Sequence, residues 1–124
     1  MRIGIIGPSD FKKLEKINRR YEPIVLDIAR RVVNSGHEII GTPDNGSLSE
    51  FFIKSYIELG GEGAYSLIPM DDEEFGASYV NQKLGEIINC GTWRNQPEKL
   101  NEECDVLLCL GYSVGGLAEI AYSK

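Results

Sequence analysis

A chain of 124 residues is long enough for one domain around one core, and its 42% hydrophobic and 26% charged residues are ordinary for a globular protein. The formal net charge of −6 argues against the broad basic surface that nucleic acid or an anionic membrane requires. No apolar run approaches the roughly 20 residues of a membrane span.

Ile3 to Ile6 is a short apolar run ending at Gly7-Pro8-Ser9-Asp10, which predicts a first buried strand and a turn. Lys12, Lys13, Lys16, Arg19 and Arg20 follow, a basic run that fits a solvated face or the supply of one cation to a phosphate. From Tyr21 to Ser35, the residues Ile24, Val25, Ile28, Ala29, Val32 and Val33 form one helical stripe. Pro23 suits the first turn of that helix and Gly36 its end. His37 to Gly41 is a second strand. The lone histidine stands at its start, where a structural role is expected.

Thr42 to Ser47, T-P-D-N-G-S, is a turn cluster in which Ser47 or Ser49 can cap the next helix. That helix carries Leu48, Phe52, Tyr56 and Leu59 at helical spacing and stops at Gly60-Gly61. Ala64 to Ile68 is a third strand. Asp71 to Glu74 is an acidic loop without the spacing of a metal cage. Glu86 to Cys90 is a fourth strand, Pro97 to Glu103 a short helix, and Val106 to Leu110 a fifth strand. The three cysteines, Cys90, Cys104 and Cys109, form no C-x-x-C pair and read as reduced thiols in or near the core. With an opening Met1-Arg2-Ile3-Gly4 that lacks a signal-peptide layout, they point to the cytoplasm.

The fifth strand runs into Gly111-Tyr112-Ser113-Val114-Gly115-Gly116 and then a helix beginning Leu117-Ala118-Glu119. Strand, glycine turn and helix together aim free backbone N–H groups at an anion. The alternation of strands and helices predicts a single α/β domain over 1–124: a Rossmann-like doubly wound parallel sheet in three layers, stopping short of the further strand such folds usually add. Ligands in such sheets bind beyond the carboxyl ends of the strands. The turns at Gly4 to Ser9, Gly41 to Ser47 and Gly111 to Gly116 fall there.

At this point the chain resembles the Lonely Guy (LOG) family of cytokinin-activating enzymes, formerly called lysine decarboxylases. The family hallmark is P-G-G-x-G-T-x-x-E. Residues 111 to 119 read G-Y-S-V-G-G-L-A-E, so Gly115 and Glu119 match while Gly111, Tyr112, Ser113 and Gly116 depart. The family's first-helix pattern, Y-x-x-x-A-x-x-L-G-x-x-L-A-x-x-G, is similar to Tyr21, Val25, Ile28, Ala29, Val32, Val33 and Gly36. Its V-Y-G-G-G-x-x-G-L-M segment corresponds to Ile39 to Leu48, with Gly41 and Gly46 kept and Thr42 and Pro43 replacing two glycines.

The resemblance implies binding of a nucleoside 5′-monophosphate or other phosphorylated small molecule, and cleavage of its N-glycosidic bond to free base and ribose 5-phosphate. It implies a phosphate and nucleotide site built from Gly7, Ser9, Gly41, Thr42, Gly46, Ser47, Gly111, Ser113, Gly115 and Gly116, with Glu119 and Arg94 as the catalytic pair. Glu119, held ionised by the helix field, would stabilise an oxocarbenium-like centre or orient water. Arg94, which follows the fourth strand, would bind phosphate or ribose. The same residues have plainer readings: Glu119 as a partner for free helix amides, Arg94 as a surface residue, the glycines as turns. No metal or cofactor is implied, and the partner expected besides the ligand is a second copy of the chain, as a dimer or higher oligomer.

Two other readings stay open. Tyr112, Pro43 and Asp44 add bulk and charge where the family lets backbone approach a phosphate, which fits a non-catalytic nucleotide-binding or sensor module. Asp44 would repel an anion unless it meets ribose hydroxyls. A relative of single-strand DNA-processing proteins is disfavoured by the acidic balance.

Overall fold

The computed structural model describes residues 1–17, 19–73, 77–111 and 114–123. Five strands, β1 (Arg2–Ile6), β2 (Glu38–Gly41), β3 (Ala64–Ile68), β4 (Glu86–Asn89) and β5 (Val106–Cys109), form one sheet in the order β4-β3-β2-β1-β5. Every pairing is parallel, with Ile3 opposite both Ile39 and Val106. The chain steps outward from β1 to β4 and then returns to the far side of β1 for β5. The strand order therefore reverses at β1, and in such sheets the ligand crevice opens at the carboxyl ends beside that point.

Both faces of the sheet carry helices. On one face lie α1 (Phe11–Ile17), α2 (Tyr21–Asn34) and α3 (Leu48–Glu58). Ile3, Ile5 and Ile39 of the sheet pack there with Val25, Ala29, Val32, Leu48, Phe52, Ile53 and Tyr56. On the other face lie α4 (Gln96–Glu103) and α5 (Val114–Ala121). Ile6, Ile40 and Leu67 pack with Cys90 and Leu100 on that side. Successive residues of a strand point to opposite faces, which is why the short apolar runs of β1 and β2 can feed two cores at once.

Two elements differ from the sequence reading. The basic run is partly helical: α1 presents Phe11 to the core, stacked on Phe51 at a centroid distance of 4.5 Å, and turns its lysines to solvent. Among its described residues the β3–β4 connection contains only the single 3-10 turn Ala77–Tyr79 and no α-helix. The cysteines also part company. Cys90 is buried and Cys104 half-buried, but Cys109 is exposed because β5 is an edge strand. No described helix is long and apolar enough to cross a membrane.

Candidate functional site

Three loops are fastened together at the carboxyl edge. The loop after β1 and the loop after β2 are joined by hydrogen bonds from Phe11 N to Gly46 O (2.9 Å) and from Leu48 N to Pro8 O (3.0 Å). The turn after β5 lies against the β1 loop and the start of α2, for the Tyr21 hydroxyl donates to Leu110 O, and a side chain at Gly111 would meet Tyr21 Oη and Pro8. Gly111 has φ +101°, a conformation that favours glycine. Gly7 serves packing instead: a Cβ there would come within 2.5 Å of Leu48.

These loops and the α4 and α5 helices enclose a cleft of about 210 Å³. Gly7 and Ser9 line it from the β1 loop, Thr42, Asp44 and Ser47 from the β2 loop, and Ser49 from α3. Trp93, Gln96 and Pro97 line it around the start of α4, and Ala118 and Glu119 from α5. At its centre is a short polar chain. The Gln96 side-chain amide donates to Thr42 Oγ1 (3.0 Å) and to Glu119 Oε2 (2.9 Å). Gln96 is 6% exposed, so both of its amide hydrogens are spent inside the protein.

Asp44 lines the cleft from the same loop as Thr42. Its backbone is pinned: Asp44 N donates to Thr42 O, Ser47 N donates to Asp44 O, and an antiparallel bridge joins Asp44 to Val80. Its side-chain Oδ1 is buried and accepts no hydrogen bond from the described residues. An orphaned buried acceptor is costly.

The electrostatics follow from this crowding. Burial pushes the Asp44 carboxyl up to about 6, and the nearby Glu50 charge adds to the rise. Burial also pushes Glu119 up to about 7, with the Gln96 hydrogen bond opposing and the Asp44 charge adding. The expectation that the helix field keeps Glu119 ionised is therefore corrected. Glu119 is the sixth residue of α5, past the reach of the terminal dipole, and desolvation dominates. No lysine or arginine is among the described residues lining the cleft.

The residues expected at the site are thus distributed unevenly. Glu119, Thr42, Gly7, Ser9 and Ser47 share the cleft. Ser47 is also the N-cap of α3: its Oγ accepts from Glu50 N (3.1 Å), and Glu50 Oε1 reaches back to accept from Gly46 N (3.0 Å), just before the cap. Gly46, with φ +82°, makes that turn, while Gly41 is the buried last residue of β2. Gly115 and Gly116 are the second and third residues of α5. Ser113 lies outside the described residues. Arg94 is exposed and does not line the cleft; its neighbour Trp93 does.

Gln96 and Trp93 went unrecognised as cleft residues in the sequence. The one signal for Gln96 is its place before Pro97 at the head of a helix, where a polar side chain next to a strand end faces the crevice.

No protein-family model matches the sequence, and a search of curated proteins finds no match. Solved structures do match the fold. The molybdenum cofactor binding protein of the phototrophic bacterium Rippkaea orientalis superposes with a TM-score of 0.75 at 16% identity, covering 98% of this chain and 69% of that one. A structural-genomics protein, TM1055, gives 0.75 at 21% identity, over 98% and 67%. The molybdenum cofactor carrier protein of Chlamydomonas reinhardtii gives 0.72 at 17% identity, over 98% and 69%. The chain thus has the α/β Rossmann-like fold of these proteins and spans about two thirds of their length.

Proposed function

We propose that the protein binds a phosphorylated small molecule, a nucleotide or a nucleotide-like cofactor, at the carboxyl edge of its sheet, and holds it without cleaving it. The observation that carries this reading is the Asp44–Gln96–Glu119 cleft at the point where the strand order reverses. It is lined by both polar and apolar groups and carries a buried acceptor, Asp44 Oδ1, that no described residue satisfies. Two acids without a lining cation repel phosphate, so the phosphate belongs outside the cleft, at the amino end of α5 around Gly115 and Gly116, and the uncharged end of the ligand belongs within. The outward placement of Arg94 favours holding over hydrolysis. Two of the fold neighbours are named for binding or carrying the molybdenum cofactor, and a ligand-holding role for this chain agrees with that.

One observation favours retained hydrolysis. A glutamate whose pKa lies near 7 is suited to protonate a departing base. Isothermal titration with nucleoside 5′-monophosphates, run beside an assay for released base, separates the two. Binding without release is the expected result. Release by the natural protein that Glu119→Ala abolishes would establish the enzyme instead, and absence of any binding would remove both. We also propose self-association through the exposed β5 edge, measurable by analytical ultracentrifugation.

A further inference from the structure

Resting on the reading that copies of the chain associate through β5, we propose that two copies join by antiparallel pairing of their β5 edges about a two-fold axis at Leu108, so that the two sheets become one.

The two edges of the sheet differ. β4 carries Glu86 and Asn89 at its ends, and charged or polar residues are a usual guard of an edge against pairing. β5 has no charge from Val106 to Leu110, and no described strand covers its outer side. The acid at its foot, Asp105, is tied back by accepting from Arg2 N at 2.7 Å. Leu110 N donates to Ile6 O, so the even-numbered amides of β5 face β1, and the N–H and C=O groups of Leu107 and Cys109 face the open edge. Such a row of groups is a template for another strand.

The hollows beside β5 have the shape of that strand. One of about 630 Å³ runs along it on the α4 and α5 side, from Cys104 to Cys109 and against Ile120. Another of about 320 Å³ lies on the α2 side, against Ile28 and Val32. Val106 and Leu107 line both, so the two meet at the edge. A small ligand would fill one of them. A strand fills both, because its alternate side chains point to opposite faces. The occupant must then be apolar on both faces, as β5 itself is: Leu107 packs toward one core and Leu108 toward the other.

Symmetry fixes the register. A two-fold axis perpendicular to the sheet keeps each face on its own side, so opposed residues must point to the same face. With the axis at Leu108, Val106 meets the partner's Leu110 and Leu107 meets the partner's Cys109, which pairs the whole apolar run. An axis at Leu107 would set Asp105 against the partner's Cys109 and bury a carboxylate in the pairing. An axis at Cys109 would set Leu107 against the partner's Gly111, where φ +101° leaves the strand conformation. At Leu108, Asp105 falls opposite the partner's Gly111, which parts the two Asp105 residues by roughly 20 Å, well past the Debye length of about 8 Å.

The test is disulfide trapping in a Cys109→Ser background, read beside sedimentation. Leu108 opposite its own counterpart is a non-hydrogen-bonded pair with Cα atoms about 4.5 Å apart, inside the roughly 4.4–6.8 Å that a disulfide spans. Leu108→Cys should therefore give a covalent dimer on mild oxidation. Val106→Cys, roughly 13 Å from its own counterpart, should give at least about tenfold less. Leu108 also touches the core, so hydrogen exchange on the natural protein supplies a second measurement. The Leu107 and Cys109 amides should exchange at least about tenfold more slowly in concentrated than in dilute solution, while the outer amides of β4 stay unchanged. A dimer that protects those amides but is trapped by Val106→Cys, or by neither variant, overturns this register and leaves association through β5 standing. A dimer whose Leu107 and Cys109 amides exchange freely overturns both. A monomer at every concentration also overturns both and gives the edge to a strand of another polypeptide.

Discussion

The two ends of the same sheet handle charge in opposite ways. At the amino end, Arg2 opens β1 and is met by Glu38 Oε1 at 3.4 Å and Glu103 Oε2 at 3.1 Å, with its guanidinium 3.9 Å above the Tyr65 ring. Tyr65 closes the set by donating to Glu38 Oε2 (3.1 Å). At the carboxyl end, Asp44 and Glu119 line a cleft whose described lining holds no cation, and Asp44 Oδ1 has no hydrogen-bond partner among the described residues. The amino end is a finished clip that ties β1, β2, β3 and α4 together. The carboxyl end instead buries two carboxyls without a lining cation, and burial raises the pKa of both.

Removing the clip should have the largest effect. Arg2→Ala leaves Glu38 and Glu103 facing each other and strips the cation from Tyr65, and should cost about 2–3 kcal/mol in urea unfolding. A loss below about 0.5 kcal/mol would make the two ends alike. At the carboxyl end the sign reverses. Glu119→Gln removes a group that resists ionisation, and at pH 8 should stabilise the unliganded protein by on the order of 2 kcal/mol, read as a higher Tm.

The same contrast should appear as a pH profile. The raised values, about 6 for Asp44 and about 7 for Glu119, mean that the folded state keeps protons which the unfolded chain releases near pH 4. Stability should therefore be greatest below pH 4 as far as these two groups are concerned, and should fall as the pH rises through 7. Thermal midpoints of the natural protein at pH 5.5 and 8.0 test the direction, and Glu119→Gln should flatten the slope. A smaller effect is expected at Gly111, where alanine must adopt φ +101° beside Tyr21 and should cost about 1–2 kcal/mol. The smallest is at Val106→Lys on the exposed β5 edge. That change should alter monomer stability by no more than about 0.5 kcal/mol yet reduce self-association in sedimentation.

Much of the architecture is legible in the residues. The stripe through Val25, Ala29 and Val32 marks α2, and Gly36, at φ +73°, marks its end. The strands stand out because a central parallel strand such as Ile3 to Ile6 is apolar on both faces. α1 is hidden because a single buried anchor, Phe11, is outnumbered by lysines, so no apolar period forms. The exposure of Cys109 is hidden because the apolar run of β5 has the same composition as a central strand; only the strand order makes it an edge.

At the site, turn glycines and Glu119 belong to a spaced motif and can be found by eye. Gln96 belongs to none, since its role depends on α4 setting it between Thr42 and Glu119, residues 54 and 23 positions away. Trp93 and Arg94 show the limit of position alone. They are adjacent, and the turn into α4 sends one into the cleft and the other to solvent.

Trp93 is the only tryptophan in the chain. Its place in the cleft wall gives the protein a native optical reporter: emission excited at the indole band comes from this one position, undiluted by any other indole. A compound that enters should quench or shift that signal without a label, and Glu119→Gln or Asp44→Asn leaves the fluorophore in place. Screening for the physiological ligand can therefore begin with the unmodified chain in a cuvette.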